Sequence, residues 1–516
     1  MEHSGSDRLD EVYTRNSIMD TVISDLNDVY IKVDCERSIA KELSDFFTFT
    51  VPNYQFTPAY KKRKWDGKIR LYNTHTRVIY KGLLDYVISF CEDRNYTFDV
   101  SQVSSPGSPP GYPGGLEEFI ESLNLSANNH KIDPYPHQKD AVLHSIKNGR
   151  ALLLSPTGSG KSLIIYILLR YYLSIIPKDK KILIVVPTTS LVSQLFSDFK
   201  DYSSLNGWDV EENVHKIFSG QSKETNKQVV ISTWQSLYKI DPRYFRDFEV
   251  AFGDECHLFK AKSLTGLMEK LTNAKYRFGT TGTLDGSNTH KLVVEGLFGR
   301  VFKTTTTKEL MEKDLLSQLE IDCLVMGYNQ QEIETVKRAS YQDEIAWLIK
   351  NTKRNAFICD LGASLKGNTL LLFNFVEKHG IPLYENLKSK KDDVYLIHGG
   401  TDVDQREEIR HLVDNNTNSI LVASYGTCST GINIKNIHNI IFTSPSKSVI
   451  RVLQSIGRGL RKSNQKEKVM VYDIADDLCY KKWRNHTMRH LDERVKIYNN
   501  EKFKYNVISI GEKRNG

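Results

Sequence analysis

Three short runs of this chain carry the residue types that hydrolysis of a nucleoside triphosphate requires. They are, in sequence order, Ser155-Pro156-Thr157-Gly158-Ser159-Gly160-Lys161-Ser162, Asp254-Glu255-Cys256-His257 and Gln454-Ser455-Ile456-Gly457-Arg458-Gly459-Leu460-Arg461. The first run can cradle phosphates, the second can hold magnesium and aim a water molecule, and the third can supply arginines to the transition state. Together, their order and spacing predict a nucleoside triphosphatase.

The first run has the sequence context of a phosphate-binding loop. The apolar residues Ala151–Leu154 predict a buried strand before it, and Leu163–Leu169 predict the core face of a helix after it. A glycine-rich turn between a strand and a helix directs backbone N–H groups to an anion at the positive end of the helix. Ser155 stands where the usual pattern has glycine, and an ordinary glycine-rich turn is the alternative interpretation.

Individual residues of this loop have separate expected roles. Gly158 and Gly160 allow the backbone to turn its N–H groups toward a pyrophosphate. Lys161 can reach the β- and γ-phosphates, and the Ser162 hydroxyl can ligate Mg²⁺. The sequence therefore predicts that a nucleoside triphosphate and Mg²⁺ bind at this loop.

An acidic pair follows a second apolar run, Val250–Gly253, which predicts a strand that ends at Asp254. Ligands bind at the carboxyl ends of strands in an open α/β sheet. Asp254 can hold Mg²⁺ there, and Glu255 can orient and deprotonate the attacking water. Two adjacent carboxylates alone usually lie on a solvated surface, but the upstream phosphate loop favours the catalytic interpretation.

The third run ends in two arginines that can act on a phosphate. Arg458 and Arg461 are three residues apart, so on a helix they share a face. They lie about 300 residues beyond Lys161, too far for one nucleotide-binding domain of usual size. The sequence predicts that the nucleotide lies in a cleft between two domains, with these residues as arginine fingers.

With these runs in place, the sequence resembles the superfamily 2 helicases and translocases with a DECH box. Further matches occur in the family's order: Pro134–Gln138 (Q motif), Pro187–Leu191 (motif Ia), Ser232–Gln235 (a further nucleic-acid contact motif), Thr281–Thr283 (motif III), Phe373 (motif IV) and Ser429–Asn433 (motif V). The resemblance implies ATP as the nucleotide, with Tyr135 stacking on adenine, Gln138 bonding its edge and Gln454 joining the catalytic set. It also implies nucleic-acid contacts from Thr188, Thr189, Thr233, Ser424 and Thr430.

Alternating apolar and helical segments predict an α/β fold with two parallel-sheet domains. The resemblance implies that these are RecA-like domains in tandem, preceded by a small α+β domain. Residues 308–321 are expected to cross between the two sheets. The predicted divisions are 1–23 (polar arm), 24–103 (small basic α+β domain), 104–116 (Pro/Gly-rich linker), 117–310 (ATP-binding domain), 311–476 (second helicase domain) and 477–516 (helical extension).

Composition limits the class of protein. The chain has 516 residues, a net charge of +7 and seven cysteines without a C-x-x-C pair. The modest positive charge suits a phosphate-backbone partner, and the scattered cysteines favour a reducing compartment over structural zinc or disulfides. Neither a signal peptide nor an 18-residue apolar run is present in this sequence. We therefore expect a cytoplasmic protein without a membrane partner.

The amino-terminal domain carries the strongest local basic signal, Tyr60–Arg70, with six cations among eleven residues. Lys61, Lys62, Arg63 and Lys64 can neutralise phosphates while Trp65 stacks on an unpaired base. The alternatives are a solvated hairpin that turns at Asp66-Gly67, and a core position for Trp65. The nucleic-acid interpretation is favoured because the neighbouring motifs already indicate a nucleic-acid motor.

Within superfamily 2, the chain most resembles the phage UvsW-like DNA helicases. The small basic domain, the DECH box and the strings Val186–Thr189, Ala423–Gly426 and Ser429–Ile432 carry this resemblance. It implies an ATP-driven motor on branched or partly single-stranded DNA, including forks, Holliday junctions and RNA–DNA hybrids in R-loops, inside the host cell if a phage encodes it. An RNA helicase, a motor subunit of a restriction complex and a non-enzymatic nucleic-acid-binding protein remain as alternatives.

Overall fold

The computed structural model describes residues 19–51, 54–104, 115–218, 220–259, 262–284, 288–431, 434, 436–444, 448, 456–457, 460 and 468–511. Gln454, Arg458 and Arg461 lie outside the described residues, as does the side chain of Thr430. Most of the predicted linker, residues 105–114, is also outside them. The chain divides into two compact units, residues 1–105 and 106–516.

The first unit is a small α+β domain. Its strands are β1 (Thr21–Asp25), β2 (Tyr30–Cys35), β3 (Thr48–Thr50), β4 (Lys68–Arg70), β5 (Val78–Tyr80) and β6 (Phe98–Gln102). Its helices are α1 (Arg37–Phe46), α2 (Pro58–Lys61) and α3 (Leu84–Asp93). The main sheet has the order β5-β2-β1-β6, with β1 and β6 parallel and the other pairs antiparallel. The boundary predicted at residue 24 is wrong, because it falls within β1.

The basic segment is not a hairpin that turns at Asp66-Gly67. Strand β4 follows that dipeptide and pairs antiparallel with β3, which precedes the whole segment. Helix α2 and the turn after it therefore form an excursion between two paired strands. Arg63 in this turn has a left-handed backbone, φ 53°.

The second unit begins with a helix at Gly115, inside the predicted linker, and then forms the first seven-stranded sheet. Strands β7 (Ser126–Ala127) and β8 (His130–Lys131) form a separate pair. The seven strands of the sheet are β9 (Arg150–Leu154), β10 (Lys181–Val186), β11 (Val214–Ile217), β12 (Val229–Thr233), β13 (Phe248–Gly253), β14 (Tyr276–Thr281) and β15 (Val301–Lys303). Its helices are α4 (Gly115–Ser122), α5 (Pro136–Asn148), α6 (Lys161–Ile175), α7 (Thr189–Ser203), α8 (Val210–Asn213), α9 (Trp234–Leu237), α10 (Lys262–Glu269), α11 (Asn288–Phe298) and α12 (Thr307–Glu312).

A second seven-stranded sheet follows. Its strands are β16 (Gln318–Gly327), β17 (Thr369–Phe373), β18 (Val394–Ile397), β19 (Ile420–Ser424), β20 (Asn439–Phe442), β21 (Lys468–Asp477) and β22 (Lys504–Ile510). Its helices are α13 (Gln330–Thr335), α14 (Tyr341–Lys350), α15 (Thr352–Ser364), α16 (Ile381–Lys388), α17 (Val403–Asn415), α18 (Tyr425–Gly431) and α19 (His486–Asn500). The boundary predicted at residues 310 and 311 falls within α12.

Both sheets are entirely parallel, as predicted. Their orders are β11-β12-β10-β13-β14-β9-β15 and β18-β19-β17-β20-β21-β16-β22, which is the same order when each sheet's strands are counted along the chain. Continuous apolar runs such as Lys181–Val186 form these strands because both faces of a parallel sheet are buried.

The prediction of a helical extension for residues 477–516 is wrong. Helix α19 occupies part of it, but β22 then pairs along its length with β16 as the last strand of the second sheet. Leu491, Tyr498 and Phe503 of this segment lie in the core of the second domain. The strand was not predicted because the segment is rich in charged residues; its outer side is an exposed sheet edge. Among the described residues, no helix is long and apolar enough to span a membrane.

Candidate functional site

The phosphate loop joins β9 to α6 and depends on two glycines. Gly158 and Gly160 have φ of 85° and 84°, in the left-handed region that side chains disfavour. A Cβ atom at Gly160 would lie 2.1 Å from Nε2 of Gln138. The loop therefore needs glycine at residue 160 both for its turn and for close packing against α5.

Ser155, the departure from the usual pattern, anchors the loop. Its side chain is fully buried. The Ser155 and Ser159 hydroxyl oxygens lie 2.6 Å apart, and the Thr304 hydroxyl donates to Ser155 at 3.0 Å. A serine at this position thus ties the two ends of the loop to each other and to the segment after β15.

Lys161 and Ser162 open helix α6 and lie within the same pocket. The Lys161 ammonium donates to the Ser155 and Pro156 carbonyl oxygens at 3.2 and 3.4 Å. The Ser162 hydroxyl lies 2.8 Å from the hydroxyl of Tyr202 on α7. The phosphate role predicted for Lys161 requires it to exchange these loop carbonyls for phosphate oxygens.

Asp254 follows β13 directly and is buried. Its Oδ1 accepts hydrogen bonds from the Thr280 hydroxyl at 2.7 Å and from the Glu255 backbone N–H at 2.9 Å. Burial raises the pKa of the Asp254 carboxyl, and the adjacent Glu255 raises it further, whereas Lys161 opposes the shift. A buried carboxylate and a hydroxyl in one pocket suit a hard divalent cation such as Mg²⁺.

Glu255 has a constrained backbone and a fixed connection to motif III. Its φ is 54°, an uncommon conformation for a residue with a side chain. His257 Nδ1 lies 3.3 Å from Glu255 Oε2 and 3.0 Å from the Thr281 hydroxyl oxygen, and that hydroxyl donates to the Thr283 carbonyl. The DECH box and Thr281–Thr283 therefore form one polar network around the predicted general base.

The predicted nucleotide residues enclose a cavity of about 490 Å³. Tyr135 lies at its rim, 48% exposed, and stacks on His137 with the rings 5.9 Å apart. Gln138 is buried: its amide oxygen accepts from the Tyr135 N–H, and its amide nitrogen donates to the Ser159 carbonyl. Gln138 thus braces the phosphate loop, and its contact with adenine stays a prediction.

The second domain also reaches this cavity. Leu310 of α12, whose side chain packs in the core of the second domain, and Leu315 and Leu316 before β16 line it together with the phosphate loop, Asp254 and Glu255. Sequence patterns gave no sign of this apolar wall, because these leucines resemble ordinary core residues. The cavity therefore lies between two domains, although the predicted arginine fingers are outside the described residues.

Three of the predicted nucleic-acid residues line one groove of about 650 Å³. Thr188 and Thr189 lie at the start of α7, and Thr233 lies at the end of β12. Lys223, Lys239 and, from the second domain, Arg406 line the same groove and were not singled out by motif. Ser424 ends β19, and its hydroxyl oxygen lies 2.8 Å from that of Thr427.

Phe373, expected at motif IV, is a core residue of β17 with no exposed surface. The exposed aromatic side chain at the end of this strand is Phe375, which is 42% exposed. The apolar run predicted the strand, but only the position of the strand's end shows which nearby aromatic side chain is exposed.

The amino-terminal basic segment presents a cationic surface. Lys61, Lys62, Arg63 and Lys64 are exposed, and among the described residues no carboxylate forms an ion pair with any of them. Trp65 is half-buried and donates from Nε1 to the Lys68 carbonyl at 2.8 Å. Arg70, by contrast, pairs with Asp66 and helps to hold the pKa of that carboxyl at about 2. With Lys68, which is also exposed and in no ion pair among the described residues, five of the six cations are thus available to an anionic partner.

Other supporting residues were missed by sequence reasoning. Thr280 bonds Asp254 and Tyr202 bonds Ser162. Thr280 directly precedes Thr281–Thr283 at the end of β14, so its position offered a signal. Tyr202 lies 40 residues from Ser162, and only the packing of α7 against α6 brings them together.

Three families match consecutive parts of the chain. Residues 22–101 match the family described as the amino-terminal part of DNA helicase UvsW. Residues 131–286 match the res subunit of type III restriction enzymes, and residues 352–463 match the helicase conserved C-terminal domain.

Known proteins extend this similarity over most of the chain. The ATP-dependent DNA helicase uvsW of enterobacteria phage T4 is 34% identical over 498 residues, which cover 93% of this chain and 97% of that protein. The crystal structure of T4 UvsW covers 95% of this chain and 99% of its own, with 32% identity and a TM-score of 0.51. The DNA 3'-5' translocase XPB2 of Sulfurisphaera tokodaii is 25% identical over 38% of this chain and 41% of its own. This chain belongs to the UvsW family of superfamily 2 ATP-dependent helicases.

Proposed function

We propose that this helicase uses ATP hydrolysis to remodel branched DNA such as replication forks, Holliday junctions and R-loops. The observation that carries the proposal is one cavity that joins the phosphate loop, Asp254 and Glu255 to residues of both sheet domains. The near full-length similarity to a phage DNA helicase supports DNA over RNA as the substrate. We expect the protein to act in the cytoplasm, which is that of the host cell if a phage encodes it.

We assign ATP binding to residues 155–162 with Tyr135 and Gln138. Ser162 and Asp254 would hold Mg²⁺, which neutralises phosphate charge when bound. Lys161 leaves the carbonyls of Ser155 and Pro156 to bind phosphate oxygens. The residues present fit both groups, because the loop has the two left-handed glycines of a phosphate cradle and Asp254 supplies a buried carboxylate.

Glu255 orients the attacking water and accepts its proton, while His257 and Thr281 hold the base in place. Arg458 and Arg461 stabilise negative charge on the departing phosphoryl group, and Gln454 belongs to the same set. This assignment of the arginines rests on their motif and spacing.

DNA is proposed to lie in the groove with Thr188, Thr189 and Thr233, and to continue past Ser424 and Thr430. The groove combines threonine hydroxyls with Lys223, Lys239 and Arg406, a set suited to the sugar–phosphate backbone. Because Arg406 comes from the second domain and the threonines from the first, a change in domain separation alters the grip on one strand. ATP binding and hydrolysis can thereby move the strand.

The cationic surface of residues 61–64, with Trp65, is proposed to select the branch point. Its exposed cations can neutralise phosphates, and the adjacent pocket of about 590 Å³ includes Tyr60 and Trp65. Non-specific phosphate contacts of this kind weaken with added salt because counterions are released on binding.

The test is ATP hydrolysis without nucleic acid and with single-stranded DNA, duplex DNA, a four-way junction, an R-loop and single-stranded RNA, all at one salt concentration. We expect the greatest stimulation by branched DNA and no activity from a Lys161→Ala protein. Stimulation by RNA alone would favour the RNA-helicase alternative, and absence of hydrolysis would favour a binding protein.

The cationic surface has its own test on a four-way junction. The Lys62→Ala/Lys64→Ala protein should bind more weakly, and its salt slope should be lower by about 0.9 for each phosphate that the protein no longer neutralises. The Arg37→Ala/Lys41→Ala protein removes the same charge from exposed positions of α1 and serves as the control. Equal slopes for the two variants would contradict a role for this surface.

A further inference from the structure

The second domain contacts the phosphate loop at two adjacent residues, Thr157 and Gly158. A Cβ atom at Gly457 would lie 2.6 Å from Cβ of Thr157, and 3.1 and 3.2 Å from its Oγ1 and Cγ2. A Cβ atom at Gly158 would lie 2.7 Å from Cδ2 of Leu316. Neither contact has room for another carbon atom, because close-packed carbons need a larger separation.

Both contacts come from one packed part of the second domain. The Ser317 N–H, next to Leu316, donates to the Leu460 carbonyl at 2.8 Å, and Leu460 is three residues beyond Gly457. Leu316, Ile456 and Leu460 are buried in the same core. A shift of Gly457 relative to the loop would therefore also shift Leu316.

The contact at Thr157 is the tighter of the two. Leu316 approaches Gly158 with the end of a flexible side chain, which can rotate away from an added carbon. Gly457, which is buried, instead approaches the Cβ atom of Thr157, which is fixed to the loop backbone. A side chain at residue 457 therefore has to separate the backbones of the loop and the second domain.

We propose that Gly457 is a positioning residue for ATP hydrolysis, whose missing side chain lets the second domain approach the phosphate loop closely enough for the arginines to act. This inference rests on the function proposed above for Arg458 and Arg461. Arg458 directly follows Gly457, and consecutive Cα atoms are about 3.8 Å apart, so displacement of Gly457 displaces the arginine that follows. Gly457 itself need not touch the nucleotide.

The first test is Gly457→Ala in the full chain, with DNA-stimulated ATP hydrolysis and nucleotide affinity measured separately. We expect kcat to fall by about 100-fold, the effect of a misplacement near 1 Å at a reacting centre. The dissociation constant for ATP should change little, because the loop, Lys161 and Tyr135 are intact. Gly266→Ala is the matched control: residue 266 is a helical glycine with open space at its Cβ position, and its kcat should equal that of the wild type.

The second test relieves the contact from the other side. Thr157→Gly removes the atoms that an alanine at residue 457 would meet, so the Gly457→Ala/Thr157→Gly protein should regain the kcat of Thr157→Gly alone. Such a rescue is a coupling between two residues that a general folding defect does not produce. Thr157→Ile, which adds bulk from the loop side, should lower kcat as Gly457→Ala does. It keeps the test available if thermal unfolding shows that the Gly457→Ala protein does not fold.

Wild-type kcat for a folded Gly457→Ala protein would overturn the proposal, as would a double variant no faster than Gly457→Ala while Thr157→Gly is active. The Arg461→Ala variant tests the catalytic role proposed for the arginines separately from the positioning role of Gly457. Wild-type kcat in that variant would remove the proposed arginine role itself, whereas a slow Arg461→Ala protein beside a fast Gly457→Ala protein would overturn the positioning role alone.

Discussion

The two seven-stranded sheets share one strand order but differ in how they treat buried carboxylates. In the first sheet, Asp254 accepts hydrogen bonds from a hydroxyl and a backbone N–H. In the second, Asp473 and Asp476 of β21 pair with Arg494 and Arg354, and all four side chains are buried. The first sheet domain thus has a buried carboxylate that accepts hydrogen bonds from neutral donors, and the second has buried carboxylates that form ion pairs with arginines.

The arginine pairs hold the second domain together. Arg354 Nε lies 2.8 Å from Asp476, which also accepts from the Tyr328 hydroxyl, and connects α15 to β21. Arg494 Nε lies 2.7 Å from Asp473 and connects α19 to the same strand. These cations are permanent parts of the fold.

Asp254 differs because its charge is only partly compensated within the protein. Burial and Glu255 hold the pKa of its carboxyl above the ordinary value despite Lys161. A carboxylate in that condition gains most from a cation that arrives with the nucleotide. For Asp254, Asp473 and Asp476 the difference is the source of the compensating charge: the fold supplies arginines to the last two, whereas the cation proposed for Asp254 arrives with the nucleotide.

The largest expected effect is on chemistry in the first sheet. Glu255→Gln should lower the ATP turnover rate by about 100- to 10,000-fold, the usual contribution of a general base, while ATP binding persists. Glu249→Gln makes the same change near the other end of β13 and should leave turnover unchanged. Hydrolysis and nucleotide binding measured on both proteins test this, and wild-type turnover of Glu255→Gln would show that another group is the base.

The next effect is on stability in the second sheet. Arg354→Met leaves Asp476 buried without its cation and should lower the free energy of unfolding by about 3–5 kcal/mol. The exposed pair Lys390–Asp360 provides the control, because solvent screens it and Lys390→Ala should cost far less stability. Denaturant unfolding of both variants gives the comparison, and equal losses would contradict the structural role of the buried pair.

A third prediction concerns pH and the second domain. His379 is buried against Ser444 and Asn355, and burial, aided by Arg354, lowers its pKa from 6.5 to about 3. The unfolded chain then binds a proton that the native ring does not, so stability should fall as pH drops from 6.5 toward 3, by about 1.4 kcal/mol per unit.

His379→Gln should remove that part of the pH dependence. The matched change His411→Gln, at an exposed position of α17, should leave it in place. Unfolding free energies measured between pH 4 and 7 test the prediction, which fails if the two variants have the same slope.

The smallest expected effect returns to Asp254. Because its pKa is raised, its ionised form is disfavoured in the fold, and Asp254→Asn should increase the free energy of unfolding at pH 7 by about 1 kcal/mol. The gain should shrink as pH falls toward 3.8, where the wild-type carboxyl becomes protonated in both states. Unfolding without nucleotide measures this gain, and a loss of stability would show that Asp254 is already compensated. The variant should also lose Mg²⁺-dependent ATP hydrolysis.

Local sequence predicted much of the fold. Strands such as Lys181–Val186 and Ile420–Ser424 were predicted from apolar runs, and the parallel arrangement followed from their alternation with helices. Strands β11, β15 and β22 were not predicted, because these edge strands are short or half-exposed and lack a continuous apolar run. The inner strand β16 was not predicted either, since residues 308–321 were expected to cross between the sheets. Residues 477–516 were predicted to be helical because the segment is rich in charged residues and has no continuous apolar run.

The sequence by itself determined the phosphate loop, the acidic pair and the family, because their spacing is a local property of a strand, a turn and a helix start. Tertiary structure alone decided which groups surround them. Tyr202 beside Ser162, Leu316 against Gly158 and Gly457 against Thr157 join residues far apart in the chain. No local pattern encodes such contacts, since each depends on how packed helices and two sheet domains approach one another.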